Sequence, residues 1–430
     1  MRKFFSLGII AFALHAQSLH ELEQYALEHA IEIQKTKLES DIAEAKKKQK
    51  THQQYGKIDL VGSYNHYNTS RTYKPLTPQI IASREYVYTT KDLYSVGVSY
   101  DVALFTGFAQ TQDIAIADLS SKIAQLKQKL TKEQLLYNIR SLYLAILAQK
   151  EMLVAQEEYI RALEKLHQQI VYEVDLGKKA KIDLLKSQAD IQKAILQKEE
   201  FISNIAITKA TLSELVTLDV KDVEDINIEV TPMKESIDTL LAKIESLSQV
   251  QLDEMMIQKA QKGVKKLHSK NLPQVMLNGY YGYNFGEDEI LGTWENENLW
   301  QVGVNLKWNI IDFGVTSAMI QEAKVSQLQA NISKQKTLLH LKKQLIEAKS
   351  NIDLEVAQYN GNKTEWELAK ESANIEEVRY QNNAATLNDL LLAKSKAQLA
   401  HAKMIQSKYN YQKALYFLAY ILEKGQKSEK

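Results

Sequence analysis

The chain of 430 residues contains no cysteine, only four prolines and only 15 glycines. Without cysteine there are no disulfides, no thiolate nucleophile, no Cys-based metal site and no acceptor for an N-terminal lipid anchor. So few helix breakers point to long helices. Charge of one sign is also lacking: 54 basic and 53 acidic residues leave a net +1, and no global field draws in nucleic acid. No segment has the ~18 uninterrupted apolar residues of a transmembrane helix. G-x-x-x-x-G-K-[ST], G-x-S-x-G and H-E-x-x-H are all missing, and the nine histidines fall at no metal-ligand spacing. The sequence offers no catalytic residues and no cofactor site. Met255-Met256 reads as packing, not as a copper site.

What is present begins with MRKFFSLGIIAFALHA, residues 1–16. Arg2 and Lys3 form a charged start, Phe4 to Leu14 an apolar core, and Ala16 a small residue suited to cleavage, the pattern of a secretory signal. Eleven apolar residues are too few to cross roughly 30 Å of hydrocarbon.

The rest of the chain is stated twice. SVGVSYDVALFTGF at 95–108 is answered 206 positions later by QVGVNLKWNIIDFG at 301–314, and Asp183-Leu184-Leu185 by Asp389-Leu390-Leu391. The first repeat, 17–216, opens with a helical stretch from Ser18 to about Gln54. Its run KKKQK at 46–50 reads as a solvated helix face. Strands of period two follow at about 55–68 and 93–106, then a long helix at 109–176 and a return helix at 178–216. On the return helix Leu184, Ile191, Ile195, Ile202, Ile205 and Leu212 form a heptad seam. A connector at 217–234 reads as irregular or strand-bearing. The second repeat, 235–424, has a helical stretch at 236–270, strands at about 274–285 and 299–311, a long helix at 315–381 and a return helix at 385–422. A polar tail, 425–430, closes the chain.

Each strand has one face rich in Tyr, Trp and Val and an opposite face of Ser, Asn, Asp, Lys and Gly. A half-buried soluble strand shows the same alternation. The aromatic weighting favours membrane strands, since three of four tryptophans and 11 of 22 tyrosines fall in 55–104 or 272–310. Tyr64, Tyr94, Tyr100, Tyr281, Tyr283, Trp300 and Trp308 are the belt residues so expected. Lipid leaves no partner for an open sheet edge, and four strands are too few to close a barrel, so several copies must combine. The connections 69–92 and 285–298 are long and polar, as expected outside the cell. The second, with five carboxylates and no basic residue, reads as a solvated acidic loop. A helix of 109–176 spans roughly 100 Å, and the shorter helical stretches laid end to end match it.

This arrangement resembles the TolC-type outer-membrane efflux family. The resemblance rests on the duplicated helix-strand-strand-helix order, the LFTGF and IIDFG strand-to-helix junctions at 104–108 and 310–314, and the tip phrases YEVDLGKKAKIDLL (172–185) and VRYQNNAATLNDLL (378–391). The fold expected is mainly α with a membrane β-barrel portion. The resemblance implies a homotrimer whose 12-stranded β-barrel continues into a long periplasmic α-helical barrel. It implies an exit duct of a tripartite efflux or type I secretion system in the outer membrane of a Gram-negative bacterium, extending into the periplasm. Its partners would be a periplasmic adaptor (membrane fusion) protein, an inner-membrane transporter of RND, ABC or MFS type, and outer-membrane lipid, with no nucleic acid. A soluble periplasmic coiled-coil structural or adaptor protein is the alternative reading.

At the tips, a helix reversing direction needs a residue tolerant of left-handed φ, which Gly177 and then Asn383 provide. Lys178 and Lys179, with Asn382 and Asn383, are the positions where an adaptor would dock; a solvated lysine pair is the alternative. By resemblance, Asp183, Asp389 and Tyr380 match positions that constrict the periplasmic entrance. Ala385 stands where a basic partner would be and Leu392 where a second pore carboxylate would be, so a leucine constriction is as plausible as salt-bridge closure. A ring of aspartates favours cations. Equally, Asp183 and Asp389 serve as N-terminal helix acids.

Overall fold

A computed structural model describes residues 16–425. The signal, apart from Ala16, and the tail beyond Gly425 lie outside the described residues. The chain forms two compact units. One comprises the chain up to Leu38, Leu126–Gln251 and the chain from Gln335 onward; the other comprises Glu39–Gln125 and Leu252–Lys334.

In chain order the elements are α1 (Leu19–His29), α2 (Ile31–His52), β1 (Lys57–Thr72), α3 (Pro78–Ser83), β2 (Thr89–Phe105), α4 (Ala109–Asp175), α5 (Lys181–Val216), α6 (Ile237–Leu241), α7 (Ser248–His268), β3 (Gln274–Glu287), β4 (Trp294–Lys307), α8 (Val315–Gln381) and α9 (Leu387–Ile421). α4 and α8 each run 67 residues without a break. Among the described residues no helix is long and apolar enough to cross a membrane.

The first unit is held by buried side chains that the two repeats supply at matching places. Leu135, Ile139, Ile146 and Leu212 sit in one cluster. Their counterparts at the 206-residue offset, Leu341, Leu345, Ile352 and Leu418, sit in another. Leu22 and Leu240, which open the two helical stretches, are buried in the same two clusters. Beside the first cluster, Arg140 makes a two-pronged ion pair with Glu23 (2.5 and 3.2 Å) and donates to the Gly425 carbonyl at 2.8 Å. A charge removed from water needs this degree of pairing.

The second unit carries one antiparallel sheet in the order β1-β2-β3-β4. β2 pairs with β3, so the hairpins of the two repeats lie side by side. β1 and β4 each keep a free edge. Both strand-to-helix junctions use two successive left-handed residues, Gly107-Phe108 (φ 62° and 69°) and Phe313-Gly314 (φ 52° and 92°). Thr106 Oγ1 then accepts from Gln110 N at 3.1 Å, and Asp312 Oδ2 from Thr316 N at 2.8 Å. The motif is one turn with the order of glycine and phenylalanine reversed.

Several expectations change. The strands are longer at their outer ends: β1 runs to Thr72, β2 starts at Thr89, and β3 and β4 extend to Glu287 and from Trp294. Backbone pairing continues there through polar residues, which period-two hydrophobicity does not register. β4 ends at Lys307, so 308–311 leave the sheet. The stretch 236–270 is not one helix, since α6 and α7 are separated by a 3-10 turn at Ile244–Ser246. The stretch 18–54 likewise breaks at Ala30. In the α5 seam Ile191, Ile205 and Leu212 are buried but Ile202 is exposed. The connector is irregular, with a single bridge from Val223 to Gln17. Nor is the loop after β3 merely solvated: Asp288 is fully buried.

Candidate functional site

Two features stand out: the paired helical tips in the first unit and the two-faced sheet in the second. At the tips α4 and α8 stop in the same way. Lys178 N donates to Glu173 O at 2.8 Å and Ala384 N to Arg379 O at 2.7 Å, the long bond of a Schellman cap. Gly177 (φ 71°) and Asn383 (φ 59°) hold the left-handed position that this cap requires.

The restarts differ. Thr386 caps α9, accepting from Asp389 N at 3.2 Å, and Asp389 Oδ2 accepts in return from Thr386 N (3.0 Å) and Thr386 Oγ1 (2.7 Å). These bonds hold the Asp389 carboxyl below its ordinary range. Asp183 has the same place in the first turn of α5, but the residue before that helix is Ala180, which has no side chain to complete the box. Asp183 is thus the acid not committed to a cap, and Asp389 the committed one.

Tyr380 is buried among Leu163, Leu166, Ile170, Leu387 and Leu390, where the two hairpins pack together. Burial, followed by the charges of Glu173 and Asp183, pushes its hydroxyl up to about 12. That hydroxyl has no hydrogen-bond partner among the described residues. Lys179 lies over the Tyr380 ring, 4.2 Å from its centroid, and donates to Asn383 Oδ1 at 3.1 Å. Asn382 donates to Val378 O at 2.8 Å. Of the expected docking lysines, then, Lys178 is exposed and Lys179 is engaged by the neighbouring hairpin. Leu392 is exposed beside a groove lined by Lys186, Asp190, Lys193 and Asn388, while its neighbour Leu391 is buried.

In the sheet, register sorts side chains by face. Leu60 opposes Val98, Val98 opposes Tyr281, and Tyr281 opposes Trp300. This apolar row and its neighbours are exposed, Leu60 to 80% and Trp300 to 70%. A higher row joins Tyr64, Tyr94 and Phe285, with centroids 4.8 and 5.6 Å apart, and Trp294 lies 5.4 Å from Tyr94. Tyr281, Tyr283 and Trp300 are mid-face. Tyr100 and Trp308 sit at the base, donating to the carbonyls of Tyr55 and Asn271. The other face is polar: Asp101 bonds Asn278, and Ser95 donates to Asn284 at 2.7 Å. There Tyr280 lies against Gly97 and Gly282, which oppose each other across the strands. A Cβ at Gly97 would collide with the end of that ring, and one at Gly282 with its hydroxyl and the Val96 carbonyl.

The profile of the family described as outer membrane efflux protein matches residues 22–217 and 238–422. The chain belongs to that family. It is an exit duct of the outer membrane reaching into the periplasm, and the family, whose members are channels, works with adaptor and inner-membrane transporter proteins. The outer membrane protein TolC of Vibrio cholerae is 21% identical over 418 residues, covering 94% of this chain and 90% of the relative. A membrane protein from Pseudomonas aeruginosa superposes with a TM-score of 0.81 at 15% identity, covering 94% and 90% of the two chains. The outer membrane protein VceC of Vibrio cholerae superposes with a TM-score of 0.80, also at 15% identity, covering 94% and 96%. At that identity the likeness is one of fold.

Sequence reading of this duct missed Phe285 and Trp294 in the upper aromatic row, because only register places them beside Tyr94. It also missed Asp288, whose partners are mostly backbone N–H groups. Among the described residues no group of three or more His, Asp or Glu is placed to hold a metal ion.

Proposed function

We propose that three copies of this efflux duct close into one channel, each adding four strands to a shared barrel and four helical rods to a shared helical wall. The carrying observation is the sheet itself, with free edges on β1 and β4 and an apolar face exposed along its length. In hydrocarbon an unpaired strand edge is strongly unfavourable, so β1 of one copy must meet β4 of the next. α8 supports the same reading. Val325, Ile332, Leu339 and Ile346 recur every seven residues and are all exposed, a seam awaiting another helix.

The apolar face then meets lipid, with the aromatic residues at its levels, and the polar face lines an aqueous bore. In the helical unit we assign Asp183, Asp389 and Leu392 of each copy to the periplasmic constriction, with Tyr380 buried between the two hairpins that carry them. Convergent carboxylates there favour cations. The tips at Lys178 and Asn382 receive a periplasmic adaptor coupled to an inner-membrane transporter of RND, ABC or MFS type, which supplies the energy that this passive duct lacks. Light scattering on the exported, detergent-extracted full chain tests the assembly. A trimer in the outer-membrane fraction is expected. A dimer, or a water-soluble single chain in the periplasmic extract, would overturn it.

A further inference from the structure

The β1–β2 connection, residues 73–88, does not stay beside its own strands. Lys74 follows β1 at one edge of the sheet, yet its Nζ lies 3.0 Å from Glu297 Oε2 on β4 at the other edge. The segment therefore passes over β2 to reach β3 with its backbone and β4 with the Lys74 side chain. On the way, Tyr73, 1% exposed, accepts at its carbonyl a 2.6 Å hydrogen bond from Asn284 Nδ2. Ser95, Asn284 and Glu297 form one cross-strand row, and that row belongs to the polar face.

The returning limb is fastened separately. Asp288 is fully buried, and its carboxylate accepts from Tyr86 Oη (2.7 Å), Thr89 N (2.8 Å), Ile290 N (3.0 Å) and Leu291 N (2.8 Å). Glu289 accepts from Ser70 and pairs with Lys91 at 3.1 Å. Between the fastenings sits α3, capped by Thr77, with Leu76 and Ile81 exposed. The segment is thus an ordered strap held at both limbs.

We propose that residues 73–88 form a strap across the outer mouth of the bore, and that Lys74 and Glu297 set the largest solute able to pass there. The inference rests on the proposed closed barrel, because only closure with the polar face inward turns a loop over that face into a loop over an exit. The Lys74–Glu297 pair, partly screened from water, holds the outgoing limb, while Asp288 holds the return. Loss of either end frees a segment of 16 residues to swing off the mouth.

The test uses the full-length detergent-extracted oligomer in planar bilayers, with polyethylene glycols of graded size added on the loop side. Lys74→Ala and Glu297→Gln are each expected to raise conductance and shift the polymer exclusion limit upward. The swap Lys74→Glu with Glu297→Lys is expected to restore both. Asp288→Asn, which frees the other limb, is expected to act in the same direction and serves if a Lys74 or Glu297 variant fails to assemble. An unchanged exclusion limit in these variants, with the oligomer intact on a gel, would overturn the strap and leave the channel standing. A wild-type chain that forms no oligomer would remove the channel and the strap together.

Discussion

Lys179 rests its ammonium 4.2 Å from the centroid of the Tyr380 ring, joining the tip of the first hairpin to the end of the second long helix within one chain. The contact is charge on a ring face, worth about 0.5–2 kcal/mol depending on how dry the site is. It does not use the Tyr380 hydroxyl, which is buried without a partner. Tyr380→Phe is therefore expected to leave the hairpins as stable as before or slightly more so, since an unpaired buried hydroxyl is itself a penalty. Tyr380→Ala and Lys179→Ala are expected to loosen them. Hydrogen exchange over 172–185 and 378–391 reads the difference. Destabilisation by the phenylalanine would show that the hydroxyl finds a partner on another copy.

Thr386 and Asp389 allow the capping role of this acid to be tested apart from the pore role proposed for it. Thr386→Ala removes the capping hydroxyl but keeps the charge, and is expected to reduce hairpin stability by about 1 kcal/mol with little change in ion preference. Asp389→Ala removes the charge, and cation selectivity in planar bilayers is expected to fall. Asp183→Asn, at a position with no reciprocal cap, is expected to change selectivity with little change in thermal unfolding. Selectivity indifferent to both aspartates would remove them from the constriction.

Acid should leave the outer clasp intact longer than an ordinary carboxylate would allow. Burial alone would raise Asp288, but its bonds from Tyr86, Leu291, Thr89 and Ile290 outweigh that and hold it at about 2. Its folded value is below its unfolded one. Its contribution is therefore fully present above the ordinary carboxylate range and is lost as pH falls toward 2. Conductance of the assembled channel is expected to be steady from neutral pH to about pH 4, and to rise only on further acidification. Loosening near pH 5 would point to a different carboxylate.

The repeat, the alternating strands and the left-handed tip residues were legible because each is written in spacing or in a single backbone requirement. Gly177 and Asn383 are two such positions. Contacts that depend on register were not legible. Trp294 lies in what reads as an acidic loop, and only the pairing of Glu287 with Trp294 brings it to the aromatic row. Asp288 sits in a run of carboxylates whose composition suggests solvent, whereas its environment is set by backbone N–H groups from two loops. Ile202 fits the α5 seam by spacing and is nevertheless exposed, whereas Ile191 of the same seam is buried where the two hairpins pack. Of the tip lysines, sequence could not tell that Lys179 is occupied and Lys178 exposed, since that follows from two hairpins meeting.

The α8 seam makes the most direct demand on a second copy. Ile332 and Leu339 are 63% and 70% exposed, yet they continue the same seven-residue register. Fully burying such a side chain is worth about 1.5–3 kcal/mol. In a ring of identical copies every interface repeats the gain. Ile332→Asp and Leu339→Asp are thus expected to cut the yield of detergent-stable trimer sharply. They should leave the helix content of the chain unchanged by circular dichroism, because neither residue belongs to a buried cluster of its own copy. Leu345 lies outside that seam and is fully buried inside the copy, so Leu345→Asp is expected to abolish folding outright. The contrast between Leu339 and Leu345, six residues apart on one helix, separates assembly from folding. If both substitutions unfolded the chain alike, the exposed seam would not be an interface.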